Sequence, residues 1–175
     1  MGLELLRCDG GCIVLPEVGA ALIDRVDGGN LIVNPPRDVW ERSELSADEL
    51  MRWSFLVAAT GAAMLEVLPQ LEGGCINYWE AGNWALNEHA EPKGFKTARK
   101  FRSVHLHLLG RSPRALNSDA KWGEAPKFPD YAMRQDWTAK NELLTPDECR
   151  QVIMRLEEIL LSKYQFTRDM IKKME

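Results

Sequence analysis

Histidine is scarce in this chain: three residues in 175, beside three tyrosines and four cysteines. Cys8, Cys12, Cys75 and Cys149 are too few and too unevenly spaced for a disulfide framework, and no targeting segment is visible in the sequence, so reduced thiols are expected. Cys8-x3-Cys12 has the spacing of a zinc knuckle, but no second pair matches it; it reads as a turn with two incidental cysteines. A basic surplus is also missing. Lys and Arg number 22 against 26 Asp and Glu, a net charge of −4, which disfavours a nucleic-acid polymer as partner while leaving local basic patches free to bind small anions. The longest apolar stretch, 55–68, is interrupted by Thr60, Gly61 and Glu66 and is too short to span a bilayer. Asp9-Gly10-Gly11 breaks the little apolar character of the N-terminus, so a cytoplasmic protein with no membrane partner is expected. No repeat or low-complexity segment occurs.

What is present suits an ordinary globular chain, with 45% apolar and 27% charged residues. Ile13–Leu15, Ala20–Ile23 and Asn30–Val33 read as short strands separated by turns at 16–19 and at Asp27-Gly28-Gly29. Ser46-x-x-Glu49 is a capping box with Asp48 in the first turn. Leu50, Trp53, Val57, Gly61, Met64 and Leu68 then recur at helical spacing until Pro69. Cys75–Trp79 and Trp84–Leu86 are strand-forming, either one bulged strand or two. Residues 87–102 are polar, with Pro92, Gly94, His89 and a cationic group from Lys93 to Arg102: a loop, solvated or lining a phosphate path. Ser103–Leu109 is a strand stopped at Gly110. Residues 112–144 form an irregular arm with Trp122, Tyr131 and Trp137 as anchors. Thr145-Pro146-Asp147-Glu148 starts a last helix whose apolar face is Val152, Ile153, Leu156, Ile159 and Leu160. Strands, helix, strands and a terminal helix give an α+β class, with a core domain over 1–115 and an arm and helix over 116–175 packed on it.

The run Ser103-Val104-His105-Leu106-His107-Leu108 carries the chemistry. Side chains two apart on a strand share a face at about 6.5–7 Å. Ser103, His105 and His107 therefore point one way and Val104, Leu106 and Leu108 the other, toward the helices. A neutral imidazole nitrogen is nucleophilic near pH 7 once its partner nitrogen is fixed by a hydrogen bond. Attack on phosphorus gives a covalent nucleotidyl-imidazole, and a second histidine can protonate the leaving group. Donors must then stabilise the charged transition state. The same H-x-H could instead hold a metal, though no third ligand presents itself. Trp79, Trp84 and Trp122 could stack on a base or anchor the core.

This run resembles the histidine-triad signature H-x-H-x-H-x-x. Upstream, the segment Gly28-Gly29-Asn30-Leu31-Ile32-Val33-Asn34-Pro35-Pro36-Arg37-Asp38 is similar to the family's G-H-x-L-V-x-P-K-x-H strand. Leu45-Ser46-Ala47-Asp48-Glu49-Leu50 is similar to its helix start. The resemblance covers 13–111. It implies a five-stranded antiparallel sheet with a central and a C-terminal helix, with His105 on an edge of it, usually dimerised. It implies hydrolysis or nucleotidyl transfer at the α-phosphate of dinucleoside polyphosphates or nucleoside phosphoramidates, with no cofactor and no metal. By position His105 is the nucleophile, His107 the third histidine near the leaving group, and Ser103 stands where the first histidine would be. Asp24 approximates the ribose-contacting acid, Gly82-Asn83 the phosphate-contacting pair with Asn87 as its rival, and Arg99 belongs to the basic group that would face phosphate. The expectation is a nucleotide enzyme; the alternatives are a nucleotide-binding protein with little catalysis or a metal-dependent enzyme using the two histidines.

Overall fold

The computed structural model describes residues 2–82, 86–125, 127 and 134–172. A hairpin opens the chain: β1 (Leu3–Cys8) turns through Asp9-Gly10 into β2 (Gly11–Leu15). β1 is an addition to the strands expected. Its alternation is hidden because Glu4 pairs with Val14 and Leu6 with Ile13, leaving Leu5 as a bulged extra residue. β3 (Asn30–Asn34), β4 (Cys75–Ala81) and β5 (His105–Arg111) complete five antiparallel strands, and the two-residue β6 (Ile171–Lys172) pairs with the end of β1. The spatial order is β4-β5-β3-β2-β1-β6, so β5 is an interior strand and not an edge.

Two expected strand features are corrected. Ala20–Ile23 is not a strand. It is irregular, its polar backbone held by side chains: Leu22 N–H donates to Asn30 Oδ1 at 2.8 Å and Asn141 Nδ2 to Ala21 O at 2.8 Å. Gly110 does not stop β5 but lies within it. A Cβ there would sit 2.3 Å from Gly28 O, so glycine permits the two backbones to touch, and Gly110 N–H donates to Gly29 O at 2.9 Å. Residues 83–85 lie outside the described residues, and Leu86 is not in a strand.

Both capping boxes form as written in the sequence. Ser46 starts α1 (Ala47–Val67), and Thr145, with Pro146 at the first position, starts α4 (Pro146–Lys163); between them fall two short helices, α2 (Ala98–Phe101) and α3 (Arg134–Thr138). α1 is long and apolar enough to cross a membrane by length and composition, yet Trp53, Leu56, Ala59, Ala63 and Met64 are buried in the core. α4 packs along α1, and Val152, Leu156, Ile159 and Leu160 join the same core cluster as Ile13, Leu31, Val33, Val104, Leu106 and Leu108. Both helices thus cover one face of the sheet. The opposite face is left for the arm and for the histidines.

Candidate functional site

The alternation read from Val104 to Leu108 is observed. Val104, Leu106 and Leu108 are buried against the helices, while His105 and His107 project from the other face with ring centroids 5.0 Å apart and planes at 63°. Ser103 precedes the strand and is exposed. Register supplies the neighbours: His107 lies between Trp79 on β4 and Ile32 on β3, and His105 opposite Ala81.

His105 has a defined tautomer. Its Nδ1 lies 3.0 Å from the Ser103 carbonyl oxygen, which can only accept, so Nδ1 carries a proton and, in the neutral ring, the lone pair is on Nε2. That carbonyl is itself crowded. Gly82, at the end of β4 with φ of +143°, would place a Cβ 2.9 Å from Ser103 O, so glycine lets β4 run close beneath the group that holds the imidazole.

His107 is buried at 9% exposure and stacks on Trp79, with ring centroids 5.4 Å apart at 28°. Beyond Trp79 the sheet face is covered. Leu22, Ile23, Leu109 and Ala120 form a second apolar cluster against which Trp79, Ala115 and Trp137 pack. The arm, which contributes Ala115, Ala120 and Trp137 to it, is pinned by two buried charges. Asp27 accepts from the amides of Leu116 (2.5 Å) and Asn117 (3.2 Å), and the Arg111 guanidinium donates to the carbonyls of Ala120, Lys121 and Glu124. Ionised partners make these among the stronger hydrogen bonds available to a loop.

On the other side of the pair the face is open. A groove of about 660 Å³ runs from Ser103 and His105 across β3 and β2 to β1. Val14, Ile32, Pro35 and Pro36 give it apolar floor and walls; Asn34, Arg37, Asp38, Cys12, Arg7 and Glu4 supply its polar groups. Both arginines are committed. Arg7 Nε donates to Glu4 at 2.9 Å, and Arg37 Nε to Glu49 at 2.9 Å. The hydrogen bond from Arg37 holds the Glu49 carboxyl down to about 2. Burial pushes the Cys12 thiol above its ordinary value, so it stays neutral and takes a weak hydrogen bond from Asn34 Nδ2 at 3.5 Å.

The structure brings together Ser103, His105 and His107 from the expected set and places the others elsewhere. Asp24 does not line the groove; its carboxylate caps a turn, accepting from the amides of Val26 (2.9 Å) and Glu142 (2.8 Å). Asn87 closes its own loop, its Oδ1 accepting from His89 N at 2.8 Å and its carbonyl from Lys96 Nζ. Arg99 pairs with Glu44 and lies 4.6 Å over the Trp40 ring, and Arg102 pairs with Glu41. Two of the segment's five cations, Arg99 and Arg102, thereby dock α2 and its C-terminal end to residues 40–44, while Lys96 closes its own loop. His89 is exposed in a turn. Asn83, Trp84 and Tyr131 lie outside the described residues, and Trp122 is 41% exposed rather than an anchor. Among the described residues no three His, Cys, Asp or Glu side chains gather as a metal would need. Asn34 and Asp38 were not picked out as this groove's parts from the sequence; the strand after Gly29 was the available signal, since Asn34 follows directly on the pairing of Val33 with Leu106. No protein-family model matches the sequence, and no curated protein matches it significantly.

Proposed function

We propose that the protein is a nucleotide hydrolase or nucleotidyl transferase acting at an α-phosphate through a covalent nucleotidyl-His105. The observation that carries this reading is the held ring: with an Nδ1–H donated to Ser103 O, the neutral imidazole presents its lone pair at Nε2, beside a groove of small-molecule size. Nε2 attacks phosphorus, a P–N bond forms, and the leaving group departs with its electron pair and takes up a proton. Water then attacks the same phosphorus, and the bond to Nε2 breaks with return of the ring to its starting state. In this reading His107, in ring contact with His105 and backed by Trp79, orients the nucleophile and hands a proton to the leaving group. Incubation with an adenosine phosphoramidate or a diadenosine polyphosphate should release AMP, and His105→Ala should abolish the release. Turnover that survives His105→Ala removes the histidine from the mechanism.

A second reading, nucleotide binding with little catalysis, is favoured by one feature. Arg7 and Arg37, the cations lining the groove, are both paired with carboxylates, which offsets the positive charge they would bring to a phosphoryl transition state. Calorimetry with AMP alongside a turnover assay separates the two: binding without product over hours supports the second. The resemblance also implies a homodimer, which light scattering of the purified chain tests.

A further inference from the structure

Attack on phosphorus builds negative charge on its non-bridging oxygens, and a hydrogen-bond donor beside the nucleophile must meet that charge. Two residues expected to supply one stand elsewhere: Arg99 pairs with Glu44, and Asn87 closes its own loop. Strand register brings a different residue to the ring. β3 and β5 pair as Ile32 with His107 and Val33 with Leu106, so the next step sets Asn34 opposite His105. Cβ atoms of directly opposed residues lie about 4.5–5.5 Å apart. Both side chains line the open groove. On the other flank His105 faces Ala81, whose methyl group offers no hydrogen bond.

The same row continues outward, with Cys12 opposite Asn34 and Arg7 opposite Cys12. A side-chain amide nitrogen carries two N–H groups. One from Asn34 Nδ2 goes to Cys12 Sγ at 3.5 Å, a weak acceptor that burial keeps neutral; the second has no partner among the described residues. Asn34 is half-buried, so its amide is held over the groove floor near Ile32 and Val14. Arg7 and Arg37 also keep guanidinium N–H groups. Arg7, however, is three strand spacings from His105, about 14 Å between backbones. Arg37 lies past Pro35-Pro36 and is turned onto Glu49 and the Glu44 carbonyl. Asn34 is on the adjacent strand.

We infer, taking the function proposed above, that Asn34 is a catalytic residue: its second Nδ2–H donates to one non-bridging oxygen of the phosphorus that His105 Nε2 attacks. The bond serves both steps, formation of the P–N bond and its cleavage by water. The donor thus lies on the β3 flank of His105, across from the end of β4, where the family resemblance puts phosphate contact. One amide reaches one of the two non-bridging oxygens, so it also tells them apart.

Turnover by the wild type, Asn34→Ala and Asn34→Asp tests this on an adenosine phosphoramidate and on the two diastereomers of its phosphorothioate analogue. In each diastereomer sulfur, a poorer acceptor, replaces a different non-bridging oxygen. Removing one such donor should lower kcat by about 10²–10³-fold with KM little changed. Asn34→Asp keeps the shape and loses the donor, so it should fall at least as far. The wild type should process the diastereomers at rates about tenfold or more apart, and both substitutions should bring that ratio close to one. Asn34 contributes a single long hydrogen bond to the fold, and circular dichroism checks that the variants match the wild type. A kcat for Asn34→Ala within about threefold of the wild type, a change confined to KM, or a diastereomer ratio unmoved by substitution would overturn the assignment and leave the role of His105 intact. A wild type that releases no AMP from the phosphoramidate would refute the proposed function, and this assignment with it.

Discussion

Gly82→Ala is the sharpest probe of how the backbone sets the nucleophile. The backbone there has φ of +143°, and an added Cβ would lie 2.9 Å from Ser103 O and 3.3 Å from Arg102 Cγ. Holding a non-glycine residue in such a region costs about 1–3 kcal/mol. At about 2–4 °C per kcal/mol for a chain of this size, the melting temperature should fall by about 2–12 °C. The contact adds something specific, because the oxygen that must give way is the acceptor of the His105 Nδ1 proton. Gly94→Ala isolates the backbone component: its φ is +105°, but its Cβ would meet nothing within 4 Å. Thermal unfolding of both variants, with the His105 tautomer read from ring nitrogen shifts by NMR, separates the two effects. Gly82→Ala should be the more destabilising and should alone populate the Nε2–H tautomer. A loss no greater than that of Gly94→Ala, with the tautomer unchanged, would refute the coupling between β4 and the imidazole.

Three further outcomes follow from the same structure. Glu49 is held at about 2 against an ordinary 4.5, chiefly by its hydrogen bond from Arg37, so its contribution is present above about pH 4.5 and is lost as pH falls toward 2; Glu49→Gln should flatten the melting temperature across that window. Burial pushes the Cys8 and Cys149 thiols up to about 11, whereas Cys75 is exposed, so iodoacetamide on the native protein at pH 8 should modify Cys75 first, as peptide mass spectrometry would show; early modification of Cys8 or Cys149 would contradict the packing. Trp79→Ala removes the ring stacked on His107 and bridging to the arm, at a cost of about 2–4 kcal/mol given its partial exposure. Urea unfolding measures that cost, and a change below about 0.5 kcal/mol would mean the arm is not braced there.

Features written in local sequence were legible and those made by distant partners were not. The capping boxes at Ser46 and Thr145 need only residues three apart, so both helix starts were readable to the residue. The two-residue period of β5 placed His105 and His107 on one face because a strand allows nothing else. β1 was missed since its bulge at Leu5 breaks that period. Ala20–Ile23 has strand composition, yet its backbone finds Asn30 and Asn141 instead of a neighbouring strand. The fate of Asp24 turned on Glu142, 118 positions away, and that of Arg99 on Glu44, 55 away. No local pattern encodes such pairings. The apolar cover over Trp79 likewise depends on an arm fixed by Asp27 and Arg111, whose burial only the assembled fold reveals.

A nucleophile with its proton parked on Nδ1 should be caught in the act. Denaturing the protein at alkaline pH a few seconds after mixing with a labile adenylate, followed by intact-mass and peptide mapping kept out of acid, should find one adenylyl group, attached to His105 and absent from His105→Ala. An adduct mapped to any other residue, or AMP released while His105 never carries one under conditions that preserve phosphoramidates, would contradict the covalent role assigned to this imidazole.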